Sequence, residues 1–169
     1  MKQMWSSWRS QYIDSFKDEK KDNSGCDCFI CRAIKNTDVD KEKDFLVVKR
    51  QANCIAMLNK YPYNNGHVLV APLEHISDFT LLNSKTLSEI MELIKRIIAI
   101  EKNMFNPAGF NVGVNIGQAA GAGLPGHLHF HVVPRWNGDS NFMAVCDDIK
   151  VISNDIMKLQ NTLYNLLNQ

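Results

Sequence analysis

The stretch GHLHFHVVPRW, residues 126–136, sets His127, His129 and His131 at alternate positions in a chain that has only five histidines among 169 residues. Side chains in a strand repeat every two residues. Three imidazoles therefore share one face, with neighbouring Cα atoms about 6.5 to 7 Å apart, while Leu128, Phe130 and Val132 turn to the core. The alternation predicts a strand over 127–133 with one chemical and one structural face. Two chemistries fit it. A His-x-His pair holds zinc, which would make the strand a catalytic metal site. Alternatively, one neutral imidazole is a nucleophile that its neighbours orient. That second reading needs an anion-holding element nearby, and NIGQAAGAGLPG (115–126) supplies small residues whose backbone N–H groups approach phosphate oxygens closely.

Outward from this strand the periodicity is mixed. FLVVKR (45–50) and NCIAML (53–58) read as strands joined by a turn at Gln51–Ala52, and residues 67–71 form a further strand after the Asn65–Gly66 turn. From Thr86 to Phe105 the period becomes helical, with Leu87, Ile90, Met91, Ile94, Ile97 and Ile98 on one face. Thr86 and Glu89 form a capping box at its start, and Asn106–Pro107 ends it. GFNVGVNI (109–116) alternates again. The tail from Lys150 carries Ile152, Ile156, Leu159, Leu163, Leu166 and Leu167 on a second amphipathic helix. The order implies an α+β fold, a mostly antiparallel sheet backed by a long helix and a C-terminal helix. Residues 1–25, with Trp5, Trp8, Tyr12 and Phe16, read as an N-terminal arm on a single domain spanning 26–169.

Composition removes several function classes. A net charge of +1 leaves no basic footprint for nucleic acid. The longest aliphatic runs, such as IIAI, fall far short of the roughly 20 residues that cross a bilayer, so no membrane partner is expected. The charge-interrupted start MKQMWSSWRSQYIDSF has no signal-peptide pattern, which gives the expectation of a cytoplasmic protein. Five cysteines, three of them in CDCFIC (26–31), then read as reduced thiols suited to metal rather than to disulfides.

The sequence GHLHFHVVPRWNGDSNF resembles the signature of the histidine-triad (HIT) superfamily, and the similarity runs back through GFNVGVNIGQAAGAG, LNKYPYNNGHVLVAPLEH and CFIC. It covers about 28–155, and the YPY, GFNVGVN and VVPRWNGDSNF stretches are most similar to bacterial diadenosine polyphosphate hydrolases and phosphorylases. The resemblance implies a HIT-like five-stranded sheet and a homodimer joined through the sheet and the long helix. It implies His129 as the nucleophile that forms a nucleotidyl-histidine intermediate, with His131 bonding the phosphate or leaving oxygen and His67 supporting the same pocket. Phe29 and Ile30 fall where relatives line an adenine pocket, Asn59 where they bind ribose, and Asn115, Gly121, Gly123 and Leu124 beside the phosphate. Many relatives carry Gly-Gln-Ser or Gly-Gln-Thr before the triad. Here GAGLPG stands instead, which shifts phosphate contacts to the backbone and leaves hydrolysis and phosphorolysis both open.

The same resemblance implies a structural zinc held by Cys28, Cys31, His75 and His127, with Cys26 as a competitor for Cys28. The implied activity is cleavage of the phosphoanhydride of a dinucleoside polyphosphate. Two other readings stay open: hydrolysis of AMP phosphoramidates, and a zinc-stabilised nucleotide-binding regulatory protein.

Overall fold

The computed structural model describes residues 28–139 and 155–169. The expected N-terminal arm (1–25), Cys26, Cys146 and the first part of the tail (150–154) lie outside the described residues. The elements are α1 (Phe29–Lys35), β1 (Val47–Arg50), β2 (Cys54–Leu58), β3 (Val68–Pro72), α2 (Ser84–Phe105), β4 (Gly109–Val114), β5 (Phe130–Arg135) and α3 (Ile156–Asn168). The strands form one antiparallel sheet in the order β1-β2-β3-β5-β4. The α+β architecture expected from the mixed periodicity is therefore present.

Alternation along β2, β3 and β5 sends side chains to two cores. On one face Ala56, Leu58, Val68, Val70, Phe130 and Val132 pack against Ile90, Leu93 and Ile97 of α2 and Leu163 and Leu167 of α3. On the other face Val47, Ile55, Met57, Leu69 and Ala71 pack against Ile30 and Ala33 of α1. Helix α1 packs on the β1–β3 half of that face, and no described element covers the face of β5 and β4 that carries His131.

Three local expectations change. Helix α2 begins two residues early, because the Asn83 side chain accepts a hydrogen bond from Thr86 N at 2.8 Å and caps it. Glu89 is not a capping-box partner. It accepts from Asn53 N at 2.8 Å and Asn53 Nδ2 at 2.6 Å, tying the helix to the β1–β2 turn. Met91 is exposed, and Leu93 takes its place in the core. The expected strand at 127–133 is displaced: β5 starts at Phe130 and extends to Arg135, so His127 and His129 precede the ladder. Their backbone is engaged elsewhere, since Leu128 N donates to Ile76 O at 2.7 Å and the His127 carbonyl faces the His129 ring at 2.8 Å.

The two sheet edges differ. Gln160 and Asn168 of α3 donate side-chain hydrogen bonds to the carbonyls of Val47 and Val48, covering the β1 edge. Along β4 no described element does the same, and Val112 stays 46% exposed. No helix among the described residues is long and apolar enough to cross a membrane.

Glu101 extends the Ile90–Ile94–Ile97 face of α2 by one more turn, yet it is a carboxyl. It is fully buried, neither oxygen has a partner among the described residues, and burial pushes its pKa up to about 9. Gly66, at φ +79°, makes room for it: a Cβ there would lie 3.0 Å from Glu101 Oε1 and 3.0 Å from atoms of Phe105 and Pro134. A raised folded-state pKa means that the carboxyl favours the fold fully below its unfolded value, a contribution lost as pH rises toward 9. Glu101→Gln, neutral at every pH, should therefore raise Tm near pH 8 by roughly 5 °C and flatten the alkaline decline, read by circular dichroism. An unchanged pH profile would mean that the carboxyl is paired.

Candidate active site

The site is built where the segment entering β5 crosses the ends of β3 and α1. Cys28 caps α1, its sulfur accepting from Cys31 N at 3.4 Å, so both thiols of Cys-Phe-Ile-Cys turn to one point. His127 Nδ1 lies 3.3 Å from Cys28 Sγ and 3.5 Å from Cys31 Sγ, and His75 Nδ1 lies 3.1 Å from Cys31 Sγ. All four ligand atoms fall within 4.8 Å of one another. Two thiolates and two imidazoles at such separations match the edges of a tetrahedral site with metal–sulfur bonds of about 2.3 Å and metal–nitrogen bonds of about 2.0 Å. The cluster suits a metal ion and leaves no position for a bound water. Cys54, the other described cysteine, is buried in the core, where burial and Glu89 push its thiol up to about 12.

Backbone groups fix the protonation of each imidazole. A carbonyl only accepts, so His127 Nε2, 2.9 Å from Pro72 O, carries the proton and leaves the Nδ1 lone pair for the metal. His129 Nδ1, 2.8 Å from His127 O, is the protonated nitrogen, which leaves Nε2 as a bare lone pair. The opposite logic holds at His67. Tyr63 N donates to His67 Nδ1 at 3.0 Å, so that nitrogen must accept and the proton sits on Nε2. His67 Nε2 then donates to His131 Nδ1 at 2.9 Å, which places the His131 proton on its own Nε2. That nitrogen is buried with no partner among the described residues.

Burial enforces neutrality. It lowers His67 to about 3, with His131 and His129 adding repulsion, and lowers His131 to about 4, with His129 adding to it. His129 is also held below its ordinary value by burial, against the opposing bond to the His127 carbonyl. The result is a lone pair on His129 beside an N–H on His131, with the two rings 5.0 Å apart.

A cleft lies on either side of this pair. One, about 420 Å³, has apolar walls from Phe29, Phe45, Leu46, Met57 and Tyr61 and polar groups from Arg32, Asp44, Asn59 and Lys60. The other, about 390 Å³, lies over β5 and β4 between Tyr63, His131, Asn111, Asn115 and Arg135. Of the sequence-selected residues, Phe29 and Asn59 line the first and Asn115 and His131 the second. Ile30 is fully buried in the core beneath α1. Asn59 also faces His67: its Oδ1 accepts from Tyr61 N at 2.9 Å, which turns its Nδ2 toward His67 Nδ1 at 3.3 Å. Gly121, accepting from Asn115 Nδ2 at 3.4 Å, and Gly123 lie in the β4–β5 loop, with Leu124 packed against the α1 core.

Sequence reasoning missed Tyr63 and Arg135. The Tyr63 ring stacks on His67 at 4.8 Å and on His131 at 5.8 Å. Its signal was position, four residues before His67 in YPYNNGH, and Arg135 continues the alternation of His131 and Val133 along β5.

This fold, with three alternating histidines at the entry to β5, is that of the histidine-triad class. The HIT domain family matches residues 40–138. An AP-4-A phosphorylase of Mycobacterium tuberculosis is 36% identical over 154 residues, covering 90% of this chain and 77% of that protein. The adenosine 5'-monophosphoramidase hnt1 of Schizosaccharomyces pombe is 30% identical over 112 residues, covering 65% of this chain and 75% of that protein. A solved Zn-bound histidine triad family protein from Mycobacterium smegmatis superposes with a TM-score of 0.59 at 27% identity, covering 73% of this chain and 84% of that one. The chain belongs to the HIT family, as an enzyme that hydrolyses or transfers nucleotides.

Proposed function

We propose that this enzyme cleaves the phosphoanhydride of a dinucleoside polyphosphate through a nucleotidyl-histidine intermediate on His129. The observation that carries the reading is the paired protonation of His129 and His131, a bare Nε2 beside an unpartnered Nε2–H. The His129 lone pair attacks the α-phosphorus, a nitrogen–phosphorus bond forms, and the bond to the leaving polyphosphate oxygen breaks. His131 Nε2–H bonds a phosphate or leaving oxygen, recovering the roughly 1–3 kcal/mol that an unmade buried hydrogen bond costs. Water then resolves the intermediate to AMP, or inorganic phosphate resolves it to ADP. The 36% identity to an AP-4-A phosphorylase supports the phosphate route, and the glycine-rich loop in place of Gly-Gln-Ser is consistent with a small second acceptor. Phosphoramidate hydrolysis would use the same histidines with an amine leaving group.

Phe29 and Asn59 serve the nucleoside and Asn115, Gly121, Gly123 and Leu124 the phosphate side, with Ile30 supporting the first from beneath. The ion held by Cys28, Cys31, His75 and His127 is zinc, structural in role: it ties α1 to the segment that carries His129. A homodimer through the uncovered β4 edge and the exposed Met91 side of α2 would close the open end of the sheet. A reducing, cytoplasmic setting is consistent with thiols at the cluster that are not joined in disulfides.

Brief incubation with labelled diadenosine tetraphosphate and acid-sensitive trapping should give an AMP adduct on the wild type and none on His129→Ala, whose turnover falls at least a thousandfold, about 4 kcal/mol. Added phosphate should replace AMP by ADP among the products. Normal turnover by His129→Ala would defeat the mechanism. In native mass spectrometry the expected species is two chains with one zinc ion each; a metal-free monomer would remove both assignments.

A further inference from the structure

The cleft over β5 and β4 contains His131 and Asn115, while its Arg135 end has no part in the mechanism above. Its floor is the open face of two paired strands, where His131 stands beside Gly113, Val133 beside Asn111, and Arg135 beside Gly109. Among the described residues Gly109 and Gly113 have nothing within 4 Å of where a Cβ would be, so the floor is flat. Tyr63 forms the wall at the His131 end.

Arg135 closes the other end. Asp139 takes its Nε, and Asn111 Oδ1 takes its Nη1. Asp139 is itself fixed by Trp136 N at 3.0 Å. These two braces turn the guanidinium back along β5 over the Val133–Asn111 pair, and no hydrogen bond engages Nη2 among the described residues. The Val133–Asn111 pair lies two residues from the His131–Gly113 pair, about 7 Å along the strand. A single phosphate at His131 does not span that gap, whereas a chain of phosphates does. Because Asp139 offsets part of the charge, recognition there comes from directed N–H···O bonds of a planar fork more than from a general positive field.

We infer that this cleft is a second phosphate subsite, which takes the distal phosphates of a nucleoside polyphosphate and uses Arg135, braced by Asn111 and Asp139, to read their length. The inference rests on the proposed function for which phosphates are distal, and it extends that reading to specificity. A substrate would lie across the sheet, its first nucleoside between Phe29 and Phe45, its α-phosphorus at His129, and its leaving polyphosphate along β5 toward Arg135. A leaving group without phosphates would not reach the guanidinium.

The test is titration calorimetry of AMP and ATP on the full chain, as wild type, Arg135→Ala and Arg135→Gln, with turnover of diadenosine tetraphosphate measured on the same preparations. The ratio of ATP to AMP affinity should fall about tenfold in both variants, the share of one charge-assisted contact. Arg135→Gln keeps a hydrogen-bonding side chain near its braces, and AMP binding reports that the fold is intact. An unchanged ratio in a variant that still binds AMP overturns the subsite, even if the wild type turns over the tetraphosphate. A shifted ratio without wild-type turnover sustains the subsite and overturns the proposed activity. Failure of the wild type to bind either nucleotide overturns both.

Discussion

His127 is held at three points, and the arrangement of the site follows from them. Its ring Nε2 donates to the Pro72 carbonyl, its Nδ1 faces Cys28 and Cys31, and its own carbonyl accepts from His129. The first contact joins it to the end of β3, the second to the start of α1, and the third sets the protonation of the next histidine. Because the carbonyl that orients His129 belongs to a residue anchored by its ring, the orientation of the His129 imidazole does not depend on a mobile side chain. Pre-organisation of this kind matters in covalent catalysis, where a misplaced lone pair costs rate directly.

A complementary chain of contacts governs the other two histidines. Tyr63 N and Asn59 Nδ2 both point at His67 Nδ1, and His67 passes the consequence to His131. The loop of residues 59–66 thus begins at the cleft beside α1, at Asn59, and reaches the second cleft at Tyr63, whose ring stacks on His67 and His131. Four neutral imidazoles packed together avoid mutual repulsion, and burial keeps them neutral. The fold supplies that burial with two cores on opposite sides of the sheet, and among the described residues clefts remain beside α1 and over the β5–β4 end.

Much of this was legible in the sequence because Cys54–Leu58 and Val68–Pro72 are short, continuous apolar runs bounded by turn residues, and the 3.6 period is strong along Ile90–Ile97. Periodicity does not say where a ladder begins, so alternation alone starts the strand at His127 where the ladder starts at Phe130, while it places His131 and Val132 on the faces they take. Helix α1 escaped because it has seven residues and is capped by a cysteine, a poor capping signal in sequence. Thr86 and Glu89 satisfied a capping pattern that Asn83 fulfils in fact, and only the hairpin turn brought to α2 shows why Glu89 is needed elsewhere. Glu101 reads as a surface residue by type and is core by position. Within the site, the roles of the alternating histidines came from family resemblance, while the hydrogen bonds that distinguish them depend on carbonyls and amides that sequence does not locate.

The central claim is that backbone contacts give the histidines different tautomers before any substrate arrives. Nitrogen-15 NMR of the imidazoles in the metal-loaded, ligand-free protein near neutral pH tests it most directly. The account predicts His129 protonated on Nδ1, and His67 and His131 each protonated on Nε2. An Nε2-protonated His129, or a His131 protonated on Nδ1, would contradict it, because the contacts to the His127 carbonyl and to His67 would then not set the proton positions.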